Sequence, residues 1–228
     1  MTYITQDELE IPRKASEVRQ WVDNKIEKIG SSEEGKQAVR FREGLLKELI
    51  EEALPLGIFC DLYFGGSDKV IVTHTVGNQN FDVTIEDNRD SKTPLEYLEI
   101  TQAHENEDAH LRMLKFKEEG HVNSLGRVTK RGTKHTRITI EVENEAVEHS
   151  VVFNNEAQKI LNAAKRKSGK EYPDNTGLII ICDDYIAFRD KSDPDRFIEF
   201  IHYKVLPLLD NFSKVFVIGW SSKTYLEF

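Results

Sequence analysis

Two acidic residues, Asp82 and Glu99, carry the clearest chemical signal in this sequence. Asp82 lies in an alternating run in which Phe81, Val83 and Ile85 face one way and Asp82, Thr84 and Glu86 the other. Glu99 lies in LEYLEITQA (residues 95–103), where Leu98 and Ile100 share one face and Tyr97, Glu99 and Thr101 the opposite one. If these strands are neighbours with both apolar faces on one core, the two carboxylates emerge on the same side. Close carboxylates repel each other as anions, so water, a proton or a divalent cation must sit between them. Mg²⁺ takes one or two protein carboxylates, several waters and phosphate oxygens. There it lowers the pKa of an attacking water and stabilises charge on the phosphate and leaving oxygen. So placed, the pair could hold a cation for phosphate chemistry.

The elements that must position this pair can be read from periodicity. Residues 14–29 form an amphipathic helix with Val18, Trp21, Val22, Ile26 and Ile29 on one stripe, and Gly30 stops it. Ser31 or Ser32 caps a second helix with Glu33 and Glu34 in its first turn. It is expected to run to about Leu54, where Pro55 and Gly57 end it. Residues 58–64 (IFCDLYF) and 69–76 (KVIVTHTV) flank Gly65-Gly66-Ser67-Asp68 and read as a hairpin. Residues 81–86 and 95–103 are the next strands. Residues 104–150 begin helical, become Gly-rich and basic, and end in a strand-like HTRITIEV, which suggests an insertion with a hairpin. A helix follows from Asn154 or Asn155 to about Ser168. GLIIIC (177–182) and KVFVIGW (214–220) read as strands buried on both faces, joined by a right-handed crossover helix that starts at Asp193-Pro194. The fold class is α/β, a mixed sheet flanked by helices.

At this point the sequence resembles the PD-(D/E)XK nuclease superfamily, the restriction-endonuclease-like fold. The resemblance spans most of residues 41–184: the leading helix, the hairpin, FDVTIED with Asp82, YLEITQA with Glu99, the Lys-rich helix 155–168 and GLIIIC. It implies an αβββαβ core carrying a basic hairpin insertion. It also implies one domain over 1–228, with residues 1–40 as a helical extension and about 104–150 as the insertion. Asp82 and Glu99 match the family's metal ligands. A further acid from the first helix often assists; Glu43 is the candidate, with Glu48 as the alternative. The sequence departs from the pattern at Thr101, where the family usually carries Lys. Three readings stay open: Lys165 or Lys167 reaches in from the following helix, metal and water suffice, or the site only binds.

Charge suggests the partner. The chain of 228 residues has 31 Lys+Arg and 40 Asp+Glu, a net charge of −9. Yet residues 112–137 hold a local +6 and residues 158–170 a local +5, leaving −20 elsewhere. An acidic protein can still turn a basic face to a polyanion. Lys130, Arg131, Lys134 and Lys167 are the expected nucleic-acid contacts, with DNA ahead of RNA as partner and a homodimer as a further expectation. The −20 elsewhere also allows a different class, an acidic inhibitor-like partner protein. His104 to His110 form a ligand-rich run without the HExxH spacing and read as a solvated turn. Asp183-Asp184 follow a buried strand and read as a loop leading into a helix. Tyr172, Tyr185 and Phe188 could stack bases. GxGxxG, GxxxxGK[ST] and GxSxG are all missing. No apolar run approaches the roughly 18 residues of a membrane span. Cys60 and Cys182, each inside an apolar run, suit a reducing cytoplasm.

Overall fold

The computed structural model describes residues 2–104, 106–123, 127–132, 139–143, 146–185 and 190–228, with the backbone alone at 106, 107 and 109. It is an α/β protein built on a mixed seven-stranded sheet. After a short helix α1 (Gln6–Leu9) come β1 (Arg13–Lys14), α2 (Ala15–Ile29) and α3 (Glu33–Phe41). A second helical stretch comprises α4 (Leu46–Glu48), a π-helical turn (Leu49–Ala53) and α5 (Leu54–Tyr63). Three strands follow: β2 (Val70–His74), β3 (Val83–Asp87) and β4 (Tyr97–Gln102). Next are α6 (Asn106–Glu119), β5 (Val128–Arg131), β6 (Thr139–Val142), α7 (His149–Lys167) and β7 (Thr176–Cys182). The chain closes with α8 (Asp193–Phe200), which runs on through π- and 3₁₀-helical turns to Leu208, then β8 (Lys214–Gly219) and β9 (Tyr225–Glu227).

The sheet order is β1-β2-β3-β4-β7-β8-β9. β1 to β4 pair antiparallel, β4, β7 and β8 pair parallel, and β9 closes the edge antiparallel. α2 and α5 cover one face, where Leu56, Phe59, Val72, Leu98, Ile179 and Phe216 share a core. α7 and α8 cover the other, with Phe153, Ile160, Ala164, Ile180, Phe197 and Val217. Burial on both faces explains the uninterrupted apolar run of β7, all seven residues of which are buried. Each buried Ile there stabilises the fold by about 1.5–3 kcal/mol over exposure.

Several sequence expectations are corrected. Residues 58–63 of the expected strand 58–64 are helical, and no hairpin joins them to β2. α5 is wedged between α2 and the sheet, with Pro55 to Cys60 all buried. Burial all round erases the 3.6-residue periodicity that would have marked a helix. Pro55 and Gly57 do not end a helix either: Pro55 sits in the first turn of α5, where its missing N–H is tolerated. The single helix expected from Ser31 or Ser32 to Leu54 is broken. Ser32 does cap α3, accepting from the Gly35 N–H, but Arg42 takes a left-handed conformation (φ 52°) and stops it. α7 begins at His149, ahead of the expected Asn154 or Asn155. The region 104–150 does hold a helix and a two-stranded hairpin that forms its own small sheet.

Among the described residues no helix is long and apolar enough to cross a membrane. Cys60 and Cys182 are buried free thiols, both pushed up by burial.

Candidate active site

The register Val83↔Leu98 and Thr84↔Tyr97 brings Asp82 alongside β4 beside Glu99. Asp82 sits where β3 begins. Its N–H donates to the Leu98 carbonyl at 2.8 Å, and its own carbonyl accepts from Thr75 N at 2.8 Å. Its side chain takes the next rung of the ladder, Oδ2 accepting from Ile100 N at 2.7 Å. Asp82 is thus pinned by backbone on both sides and by its carboxylate, so its position is set by the sheet.

Glu99 is 6% exposed. Strand alternation turns it to the α7 face of β4, the face on which Ala103 packs with Ile160 and Ala164. There Lys167, the last residue of α7, donates from Nζ to Glu99 Oε1. Thr101 shares that face and is buried, two residues on from Glu99. A cation from α7, Lys167, thus stands at Glu99, while Thr101 itself carries no charge. Lys165 is exposed and lies outside this cluster.

A third acid comes from the π-helical turn. Glu52 Oε2 accepts from Nε2 of the buried His74 at 2.7 Å, tying the turn to β2. Pro55 explains the distortion. It has no N–H to offer the carbonyl four residues earlier, that of Glu51. The Glu51 carbonyl accepts instead from Gln102 Nε2 at 2.5 Å, so β4 holds the turn directly. Wider turns of this kind recur at functional sites. Glu43, the first-helix acid favoured from sequence, lies exposed between α3 and α4 beside Leu46 and the N-terminal residues Thr2 to Ile4. Glu48 is half-buried, with Oε2 unpartnered. Helical periodicity could not reveal Glu52, because a π turn shifts every later side chain; the one usable signal was Pro55 itself.

The electrostatics mark this as one cluster. Burial first, then the negative charges of Glu52 and Glu99, push the Asp82 carboxyl up to about 8, against the pull of the Ile100 N–H and Lys167. Burial and the charges of Glu99 and Asp82 push the Tyr172 phenol well above its usual range. The Tyr172 hydroxyl is buried without a partner, and its ring packs on Phe212 with centroids 4.4 Å apart. Asp82 Oδ1 and Glu99 Oε2 take no hydrogen bond from the described residues. Two carboxylates with open oxygens, one of them kept from ionising first by burial and then by its acidic neighbours, are the residues that would hold a Mg²⁺ or Mn²⁺ ion.

The other candidates lie elsewhere. Arg131 of the hairpin pairs with Glu141 at 3.3 Å, both exposed, and Lys130 is exposed beside it. Lys134 and Phe188 lie outside the described residues. One further group among the described residues has metal-ligand chemistry: His149, Asp190 and Asp193, whose ligand atoms fall within 4.8 Å of one another. There His149 Nε2 donates to Asp193 Oδ2 at 2.6 Å, and Asp190 N donates to the same oxygen at 2.8 Å. These bonds fasten the start of α7 to the start of α8. Asp184 is buried, accepting from Ser221 N, Ser221 Oγ and Thr224 N, and walls a cleft of about 350 Å³ with Phe197 and Tyr225. A Cβ on Gly219 would collide with its carboxylate at 1.9 Å, so only glycine fits there.

Comparison with protein-family models, with curated proteins and with solved structures finds no match.

Proposed function

We propose that this chain is a metal-dependent phosphodiesterase of the restriction-endonuclease-like class, acting on nucleic acid, DNA before RNA. The observation that carries the reading is the meeting of Lys167 with Glu99 beside the buried Asp82. An acid pair with a neighbouring ammonium is what hydrolysis of a phosphodiester needs, and here the ammonium comes from α7. The element order supports the same reading. With residues 58–63 reassigned to a helix, and with α6, β5 and β6 counted as the insertion, α5, β2, β3, β4, α7 and β7 run helix, three strands, helix, strand.

Asp82 and Glu99 would hold the cation, which when bound supplies a more acidic water and charge stabilisation on the phosphate. Lys167 orients Glu99 through its ion pair and would hold positive charge beside the position of an attacking water. Glu52, fixed by His74, adds a third carboxylate toward Asp82. The attacking water would give one proton to solvent as it forms the new P–O bond, the bond to the leaving oxygen would break, and that oxygen would take a proton back from solvent.

The test is cleavage of linear duplex, single-stranded DNA and single-stranded RNA with Mg²⁺ or Mn²⁺. Asp82→Asn, Glu99→Gln and Lys167→Ala should each lower the rate by about 100-fold or more, the scale of other catalytic deletions, with unchanged far-UV circular dichroism. Full activity in both carboxylate variants would end the assignment. Binding of these substrates by the unaltered protein without turnover would leave a binding module on the same fold.

A further inference from the structure

We propose that Phe81 and Tyr97 form a stacking platform for an unpaired nucleobase beside Asp82 and Glu99, so that the nucleic acid presented to the two acids is a single strand. The proposal rests on the reading above and names the substrate class within it.

Phe81 immediately precedes Asp82, and Tyr97 lies two residues before Glu99. Their ring centroids are 4.7 Å apart, with the planes tilted by 48°. Leu98 and Ile100 lie in the core under α2 and α5, so strand alternation turns Tyr97 to the same face of β4 as Glu99. Phe81 leaves the alternation expected of it with Val83 and Ile85. The ladder is irregular at Asp82, whose N–H donates to the Leu98 carbonyl while its carboxylate takes the rung at Ile100 N. That break turns the Phe81 ring onto Tyr97 rather than into the core.

The two rings stand apart from the packed interior. Among the described residues neither belongs to any of the three apolar clusters of the core, nor packs against one. Both are half-buried, and Tyr97 is the one residue of β4 that is not buried. The end of α7 explains the opening. That helix approaches from Ala103, passes the Gln102 carbonyl at Arg166, and finishes with Lys167 at Glu99. Tyr97 lies two residues past this point, about 7 Å along the strand, where α7 no longer covers the sheet. Tyr172, the base-stacking candidate of the sequence, is differently placed: its ring packs on Phe212 with centroids 4.4 Å apart, and its hydroxyl is buried. Phe81 and Tyr97 have only each other as aromatic partners.

The chemistry of the rings selects the ligand. Every nucleobase has a π-face, so stacking on an aromatic side chain is tolerant of sequence. That face is free only when the base is unpaired and splayed from its neighbours, as in single strands, loops and ends. The step from Tyr97 to Glu99 is within the span of one nucleotide. A base seated on the rings therefore brings the adjoining phosphate to the acids.

The experiment follows binding by anisotropy in EDTA, so that neither metal nor turnover enters. The probes are a short fluorescent oligodeoxythymidylate and an abasic strand of the same length and charge. The unaltered protein should bind the thymidylate about tenfold more tightly than the abasic strand, the scale of one base stacked on an aromatic side chain. Phe81→Leu and Tyr97→Leu, each checked by circular dichroism and melting, should lose about that factor on the thymidylate and nothing on the abasic strand. Their log–log salt slope should match that of the unaltered protein, because no phosphate contact is lost. Equal losses on both strands would overturn the proposal and leave the rings as a cross-strand pair of the sheet. Equal affinity of the unaltered protein for the two strands would overturn it too. A ring-dependent preference for the thymidylate with no cleavage of any substrate would uphold the platform and end the hydrolase reading. Cleavage without that preference would do the reverse, and no binding of either strand would end both.

Discussion

Asp82 is the residue on which the account turns, and its environment has a thermodynamic consequence. Folding raises its carboxyl from the ordinary 3.8 to about 8, through burial and the charges of Glu52 and Glu99. Between those values the unfolded chain has given up the proton while the folded chain keeps it. The folded state is therefore favoured below about pH 4 and loses this contribution as pH rises toward 8. In EDTA, the melting temperature of the unaltered protein should fall over that window relative to Asp82→Asn, whose amide does not titrate. Parallel pH profiles for the two proteins would show that Asp82 is not held in this way. The acid pair itself was legible in the sequence, because period-two alternation fixes which side of a strand each side chain takes. The partners were not. Lys167 lies 68 residues from Glu99, and Glu52 was hidden by the π turn, which nothing in helical periodicity encodes.

At the scale of elements, the helical stretch 46–63 shows where local reading fails and why. Six consecutive residues of it, Pro55 to Cys60, are buried, so that run carries no period to separate helix from strand. Gly57 gives the stretch a second role. Helix interiors normally disfavour glycine by about 1 kcal/mol, yet a Cβ here would lie 2.9 Å from Arg19 Cα. The backbones of α2 and α5 approach too closely for anything larger. Gly57→Ala, which improves helix propensity, should still destabilise the protein by about 1–3 kcal/mol through overpacking. Urea unfolding with an unchanged m-value would measure it. A stabilised variant would mean that α2 and α5 are free to part. The strands were easier to read: β4 and β8 fall within the expected segments, and β3 and β7 each overrun theirs by one residue, at Asp87 and Thr176, since alternation marks half-buried strands and unbroken Ile runs mark central ones.

At the scale of the whole molecule, charge is sorted rather than mixed. The basic stretches of 112–137 and 158–170 belong to one insertion and to one helix, and α6 and α7 bring their cations toward the end of β4 where the acidic centre also lies. Composition showed those stretches, and only the fold shows that Arg112 and Lys159 share a cleft with Arg42 and His104. Two places compete for a cation: the proposed Asp82 and Glu99 on adjacent strands, and His149 with Asp190 and Asp193 where α7 and α8 begin. The proposed function requires the first. Counting bound Mn²⁺ by electron paramagnetic resonance in the unaltered protein, Asp82→Asn, Glu99→Gln and His149→Ala separates them. The account predicts a Mn²⁺ site that is lost in both carboxylate variants and kept in His149→Ala. A site lost only in His149→Ala, or no binding at all, would contradict it.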